Sequence, residues 1–416
     1  MSKAKKLKAI SLYAGAGGLD YGFEAAGIGT AVALEMDADC CNTLRANRSW
    51  LVIQKSIADV STADLLEAAK AKPGNIDLVI GGPPCQPFSK SGYWASGDTR
   101  RLLDPRTSTL GAFLRVVREA LPRAFLLENV EGLGYRGKNE GLSLIQRSMD
   151  EINRKTGTHY SVAAKVLDAA DYGVPQHRRR MFIVASRDGV PFEFPAPTHG
   201  TLNDTDLFSA LRPHVRAWDA LHDLPEQPNE DLAVRGKWAN LLPSIPEGEN
   251  YLWHTERKGG LPLFGWRTRY WSFLLKLAKD RPAWTLQAQP GPAIGPFHWT
   301  SRRLSMREMA RLQTFPDNVS ISGSHGSMQR QLGNAVPSLL AEILAREIRA
   351  QLLGMSLRGR LHLAVPRDSR PLPPPEPVRR VTREYRKLKG KHAAHPGTGL
   401  GPSATARKLI ASRATA

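Results

Sequence analysis

Three positions in this 416-residue chain carry side chains that could make or break covalent bonds, and each comes after a short apolar run or leads into one. Cys85 lies in Gly81-Gly82-Pro83-Pro84-Cys85-Gln86-Pro87-Phe88-Ser89, where three prolines restrict the directions its thiol can take. A free thiol titrates near pH ~8.5, so a nucleophilic role requires a site that favours the thiolate. A lone loop cysteine can equally have no role. Glu128, in Glu128-Asn129-Val130, follows Ala124-Phe125-Leu126-Leu127. A carboxylate at an apolar strand end has its pKa raised, which suits it to share a proton with a ring nitrogen, although helix capping is the competing use. Arg178, Arg179 and Arg180 lead into the apolar run Met181 to Ala185. In a strand they alternate, which puts Arg178 and Arg180 on one face, able to hold a phosphate, a carboxylate or a carbonyl, and turns Arg179 to water.

The elements that must position these groups can be read from the pattern. Ile76 to Ile80 reads as a buried parallel strand, so Cys85 sits just beyond a strand's carboxyl end, the edge where open α/β sheets bind ligands. Lys8 to Tyr13 is a first strand, Ala14-Gly15-Ala16-Gly17-Gly18 a glycine turn, and Tyr21 to Ala26 a helix. That order brings backbone close to a ligand at a helix amino terminus, as nucleotide-like cofactors require. Thr30 to Leu34 is a second strand ending in Glu35-Met36-Asp37. Glu35 is placed there to accept ribose hydroxyls, or to cap the helix Ala38 to Asn47, which Asp37 can do as well. Ile57-Ala58 reads as a third short segment delivering Asp59 toward an adenine amino group. Helices are expected over Leu110 to Ala120, Leu142 to Arg154, Arg302 to Phe315 and Ser338 to Leu352, with strands over Ala124 to Leu127 and Tyr160 to Asp168. The polar stretch from Ser89 to Thr109 is long enough for a mobile lid.

Three cysteines exclude a disulfide framework, and the adjacent Cys40 and Cys41 read as buried structural thiols rather than metal ligands. No metal site is expected. No apolar run approaches the ~18 residues of a membrane span, and the amino terminus lacks a signal peptide's apolar core, so the reading is a soluble, cytoplasmic protein with no membrane partner. The formal net charge of +19 is concentrated at the ends. Residues 1–8 carry four lysines and no acid, residues 351–416 carry 14 Lys+Arg against 3 Asp+Glu, and the 342 residues between are nearly balanced. From Pro191 to about Thr300 the strand-helix alternation stops and tryptophans cluster. Runs such as Trp266-Arg267-Thr268-Arg269-Tyr270-Trp271 suit a surface that contacts DNA grooves, or a small core with a charged rim. The tail from Val365, with Pro371 to Pro375, reads as extended, holding a basic segment away from the body.

Taken together and in order, these motifs resemble those of the DNA (cytosine-5) methyltransferases of bacterial and phage type. The resemblance rests on Tyr13-Ala14-Gly15-Ala16-Gly17-Gly18, Pro83-Pro84-Cys85-Gln86, Glu128-Asn129-Val130, Gln176 with Arg178 and Arg180, the helix region Arg302 to Pro316, and Gly333-Asn334-Ala335-Val336-Pro337. Tyr13 stands where phenylalanine is commoner, Ser11 where aspartate is, and Ser305 where threonine is. The resemblance implies an α/β fold: a Rossmann-like methyltransferase sheet with helices on both faces, plus a smaller irregular target-recognition domain. It divides the chain into a cofactor-binding catalytic domain (1–190), a recognition domain (191–300), a return to the catalytic domain (301–350) and a basic, Pro-containing, largely disordered tail (351–416).

What the resemblance implies for chemistry is specific. Cys85 adds to C6 of cytosine, Glu128 holds N3 and the exocyclic amine, Arg178 stabilises the ring carbonyl, and Arg180 positions the loop around Cys85. The cofactor is S-adenosyl-L-methionine, expected at Tyr13, Ala14, Gly15, Ala16, Gly17, Gly18, Glu35, Met36, Asp59, Val60, Pro84, Asn334 and Val336. Double-stranded DNA is expected at Gln86, Ser89, Arg267, Arg269 and Thr285, with the target base flipped out. The implied setting is a monomer in a restriction-modification or phage-defence system, with a cognate endonuclease or defence proteins as partners. The rival expectations are a transfer-RNA cytosine-5 methyltransferase, which would carry a smaller insert, and a catalytically silent DNA-binding regulator.

Overall fold

Parallel strands covered on both faces need apolar side chains at nearly every position, and the middle strands of this protein are built that way. The computed structural model describes residues 6–84, 108–131, 140–201, 211–225, 230–266 and 271–390. In chain order the elements are β1 (Leu7–Leu12), α1 (Gly18–Ala25), β2 (Ile28–Glu35), α2 (Ala38–Asn47), β3 (Leu51–Gln54), α3 (Thr62–Ala68), β4 (Leu78–Gly81), α4 (Ser108–Ala120), β5 (Ala124–Val130), α5 (Glu140–Thr156), β6 (Ser161–Asp168) and β7 (Arg179–Ser186). After a stretch of short turns come α6 (Ala217–Leu221), α7 (Met306–Leu312), α8 (His325–Asn334), α9 (Ser338–Gln351) and α10 (Arg383–Arg386). Among the described residues no helix is long and apolar enough to cross a membrane.

The seven strands form one sheet in the order β3-β2-β1-β4-β5-β7-β6, with β7 antiparallel to both its neighbours and the other paired strands parallel. Strand order reverses between β1 and β4, so the crevice above their carboxyl ends is the place for a ligand. Alternation along each strand feeds two cores. Ile10, Leu12, Val79, Phe125, Leu127 and Ile183 meet α3, α4 and α5 on one face. Ala9, Leu78, Ile80, Leu126, Phe182 and Val184 meet α1 and α9 on the other.

Two expectations are corrected. The third strand is Leu51–Gln54, a half-exposed edge strand, while Ile57–Asp59 is a single 3-10 turn capped by Ser56. Glu128 and Asn129 lie within β5 and not beyond it, because β7 continues the ladder past them.

The second half has two cores of its own. One joins Ala217, Ala220, Leu221, Leu277, Ala283 and Leu286 to α7, α8 and to Ala16 and Tyr21 of the first half. Parts of 191–300 therefore share a core with the first half of the chain. The other core, around Trp238, Leu242, Tyr251, Phe264 and Phe273, is separate, and Tyr385 of the tail is buried in it. The tail is thus not free of the body over residues 351–390: Lys279 holds the Pro374 carbonyl and the Glu376 carboxylate, Glu247 accepts Glu376 N–H, and of the tail only 391–416 lie outside the described residues.

Candidate active site

β4 and β5 run parallel and adjacent, so Gly81 and Glu128 reach the same sheet edge, and antiparallel β7 begins there with Arg179. Gly81 faces Leu12 across the ladder, and a Cβ there would collide with the Leu12 carbonyl, so only glycine lets β1 and β4 pair at this point. The β5–β7 register sets Glu128 opposite Phe182, which puts Arg180 diagonal to it on the same face. Arg180 Nε lies 3.2 Å from Glu128 Oε1. Arg179 points away, exposed, and pairs with Glu131 at 2.8 Å, as strand alternation predicts.

Above this edge opens a cavity of about 430 Å³. Its walls include Tyr13, Ala14, Gly15 and Gly18 from the glycine turn, Glu35 and Met36 from the end of β2, Pro83 and Pro84, and Asn334 and Val336 from the closing motif. Glu128, Arg178 and Arg180 complete it. The turn is fitted closely to the closing motif, because a Cβ on Gly18 would run into the Val336 carbonyl. Tyr13 has φ 55°, an uncommon conformation for a side chain of its size. Glu35 does not stand free: Gly15 N–H donates to Oε2 at 2.8 Å, and Met36 and Asp37 N–H donate to Oε1, each at 2.8 Å. Asp37 takes the capping role at α2.

Ala16, Gly17, Asp59 and Val60 do not line this cavity. Ala16 packs into the core shared with α7 and α8, and Gly17 is the left-handed N-cap of α1. Asp59 is exposed and Val60 is buried beneath Arg115, which donates to its carbonyl at 3.0 Å, because the third strand ends earlier than expected. Thr285 donates its hydroxyl to the His177 carbonyl at 2.6 Å and so braces the segment before β7. Cys85, Gln86, Ser89, Arg267 and Arg269 lie outside the described residues.

The entrance to the segment bearing Cys85 is nevertheless held from two sides. Asn129 Nδ2 donates to the Pro83 carbonyl at 3.1 Å, and Thr109 Oγ1 donates to the Pro84 carbonyl at 3.0 Å. Tyr13 in turn donates its phenol to the Thr109 carbonyl at 2.7 Å. The hydroxyl that distinguishes Tyr13 from phenylalanine therefore links the glycine turn to both ends of the 85–108 segment. Gln176, fully buried, donates to the Leu312 carbonyl and accepts from Leu286 N–H, tying β7's approach to α7.

The electrostatics set Glu128 and Arg178 apart. Burial pushes the Glu128 carboxyl up, against the opposing charges of Arg180 and Arg178. Burial, reinforced by Arg180, pulls the Arg178 guanidinium down, while Glu128 opposes. Arg178 is 2% exposed; Nη2 donates to the Asn334 carbonyl at 3.3 Å, and among the described residues Nε and Nη1 have no partner. A buried donor without an acceptor costs about 1–3 kcal/mol, so such a pair signals a ligand oxygen. Sequence reasoning missed two further cavity groups. Arg330 pairs with Asp37 at 2.8 Å, and fully buried Asp20 accepts from Ser11 at 3.1 Å and Thr30 at 2.7 Å. Ser11, the last polar residue before the end of β1, faces a carboxylate supplied from α1, a pairing visible only in three dimensions.

A parallel sheet with a glycine turn after β1, an acid after β2 and a reversed seventh strand is the architecture of Rossmann-like methyltransferases. The solved structures agree on this fold: a DNA modification methyltransferase encoded within an E. coli prophage superposes with TM-score 0.60 at 22% identity over 83% of this chain and 99% of that one. The Dnmt2 methyltransferase of S. pombe gives 0.51 at 18% identity over 84% and 99%. Residues 7–350 match the C-5 cytosine-specific DNA methylase family, and the chain belongs to it. It is 42% identical to the Type II methyltransferase M.SacI of Streptomyces achromogenes over 85% of this chain and 95% of that protein. It is 48% identical to the Type II methyltransferase M.AquIA of Picosynechococcus sp. over 55% of this chain and 93% of that protein. The cofactor of this family is S-adenosylmethionine. The cavity suits it: backbone N–H groups at an α1 N-cap that has no side chain, a carboxylate at the end of β2, and the exposed Met36 side chain beside it.

Proposed function

We propose that this protein is a DNA (cytosine-5-)-methyltransferase (EC 2.1.1.37) that methylates C5 of cytosine within a specific sequence of double-stranded DNA, with Cys85 as the nucleophile and the target base flipped into the cavity. The observation that carries the reading is the buried Arg178 guanidinium, with Nε and Nη1 unpartnered, beside a carboxyl raised by burial at Glu128. A cytosine ring presents the matching groups: a carbonyl oxygen for Arg178, and N3 with the exocyclic amine for Glu128. Bound S-adenosylmethionine supplies the methyl group that C5 accepts.

The chain's own residues do the rest. Cys85 thiolate adds to C6, and the electrons displaced toward N3 and the carbonyl are met by a proton held at Glu128 and by the Arg178 N–H groups. Arg180, paired with Glu128, orients that carboxyl. Asn129 holds Pro83, two residues before the nucleophile. After methylation a base, for which an ordered water suffices, takes the C5 proton and Cys85 leaves. A base stacked in a duplex cannot enter this walled cavity, so flipping, at a few kcal/mol of unstacking, precedes the chemistry.

Target choice is assigned to the separate core around Trp238 and Phe264, within 191–300, whose surface bears the exposed Trp271. The Type II names of the relatives support a place in a restriction-modification system, with a cognate endonuclease as its functional counterpart. Bisulfite sequencing of DNA from cells expressing the protein tests the activity and reads the target. Cys85→Ser should abolish methylation and the covalent adduct with DNA containing 5-fluorocytosine. Equal trapping by that variant would overturn the assignment of Cys85.

A further inference from the structure

The family match ends at residue 350, but the ordered chain runs on for forty residues, crossing from the catalytic body to the separate core. It is tethered in three steps. Glu342, fully buried and paired with Arg346 at 2.7 Å, accepts His362 N–H at 2.8 Å and Leu363 N–H at 2.9 Å. Asp219 accepts Asp368 N–H at 3.0 Å, and Trp218 Nε1 donates to Asp368 Oδ2 at 3.1 Å. Glu247 accepts Glu376 N–H at 2.7 Å, and Lys279 Nζ donates to the Pro374 carbonyl at 2.9 Å and to Glu376 at 3.0 Å. Beyond the third tether, Val381, Tyr385 and Leu388 turn one face inward onto the recognition core. Tyr385 is 4% exposed, stacks on Trp238 with ring centroids 5.8 Å apart, and donates its hydroxyl to the Lys237 carbonyl at 2.7 Å.

The other face is where the charge lies. Arg379, Arg380, Arg383, Arg386, Lys387 and Lys389 are all exposed, six cations within eleven residues. The one acid among them, Glu384, accepts from Asn240 Nδ2 at 3.1 Å. Among the described residues none of the six forms an ion pair with a carboxylate. Docking through Val381, Tyr385 and Leu388 fixes these like charges on one short anchored segment, where a free tail could spread them. Such an array is matched by a polyanion of regular charge spacing, and the domain that carries it is the one that must meet DNA.

We infer that residues 379–389 are a phosphate-gripping face of the recognition domain, which holds the backbone of duplex DNA beside the target without reading its sequence. The inference rests on DNA being the substrate. Each phosphate neutralised contributes ~0.9 to the slope of log affinity against log salt.

The test uses the full-length protein with Arg379, Arg380, Arg383, Arg386, Lys387 and Lys389 all changed to Gln, and compares its binding to target and scrambled duplexes across a salt series with that of the wild type. Three to five lost contacts should lower the slope by about 2.7 to 4.5, equally for both duplexes, with cofactor affinity unchanged. Superimposable salt plots, or a loss of slope on the target duplex alone, would overturn the inference. Tyr385→Ala keeps all six charges and removes the anchor. It should lose the same slope, and a wild-type slope in that variant would show that the docked geometry plays no part. Wild-type protein that shows the salt slope but puts no methyl group on DNA would sink the proposed activity and leave this face standing.

Discussion

Tyr13→Phe removes one oxygen atom from a half-buried position and tests whether the glycine turn and the segment bearing Cys85 act as a unit. The phenol donates to the Thr109 carbonyl at 2.7 Å, and Thr109 Oγ1 donates to the Pro84 carbonyl at 3.0 Å, one residue from Cys85. Burial raises the Tyr13 pKa, so the group is a donor throughout the working pH range. A neutral hydrogen bond of this kind contributes about 0.5–1.5 kcal/mol net. If that energy holds the base of the segment in its reactive position, kcat/KM for DNA should fall roughly two- to twelve-fold. Cofactor affinity should stay within about twofold, because the ring remains. Thr109→Val breaks the second bond of the same clamp, so the double variant should lose less than the sum of the single losses, with a coupling of at least ~0.5 kcal/mol. The assay is initial-rate methyl transfer to duplex DNA at saturating cofactor, alongside cofactor binding by calorimetry. Strict additivity, or an unchanged kcat/KM with weakened cofactor binding, would refute the clamp and leave Tyr13 as a wall of the cavity.

Glu128→Gln should lower the methylation rate by roughly 10²–10³ while DNA affinity changes little, since the amide is a poorer partner for a protonated N3; single-turnover rates decide it. Gly18→Ala should weaken cofactor binding by about 1–3 kcal/mol through collision with the Val336 carbonyl, and unchanged binding would show that the closing motif yields. Burial, against bonds from Thr30 and Ser11, raises Asp20 to about 6. Its folded pKa exceeds its unfolded value near ~3.9, so the stability it contributes is fully present below that value and is lost as pH rises to about 6. Asp20→Asn should therefore gain on wild type across that window, by on the order of 3 kcal/mol by pH 8; urea denaturation at pH 4 and pH 8 would reveal a constant difference if the reasoning fails. A chimera that exchanges all of 191–300 should fold poorly, because Ala217, Leu221, Leu277 and Leu286 belong to the core shared with α7; exchanging residues 230–275 together with the 378–390 strap should fold and change the methylated sequence, as bisulfite sequencing would show.

Much of the site was legible in the chain because its residues sit at strand ends. A buried parallel strand leaves a local signature of continuous apolar residues, and the residues next in the chain must emerge at the sheet edge. That logic was enough to put Glu128 and the glycine turn on one edge with the segment entering at Pro83, and to separate Arg178 and Arg180 from Arg179. The order of the motifs carried the family, since six short patterns in sequence do not depend on knowing their distances.

The features that stayed hidden depend on contacts between residues far apart in the chain, which no local pattern encodes. Ile57-Ala58 read as the third short segment of the chain, but the half-exposed Leu51–Gln54 holds the place beside β2 and Ile57–Asp59 forms a single turn. The pairing of Ser11 with Asp20, the Tyr13–Thr109–Pro84 clamp and the bond from Arg178 to Asn334 span nine to more than 150 residues, and each exists only once the sheet is assembled. The tail shows the principle most plainly. Its prolines and basic residues read as an unanchored segment, yet one aromatic at the right distance from Asp368 and Glu376 finds Trp238, and the burial of that ring, together with three buried acceptors for its backbone, holds the strap in place.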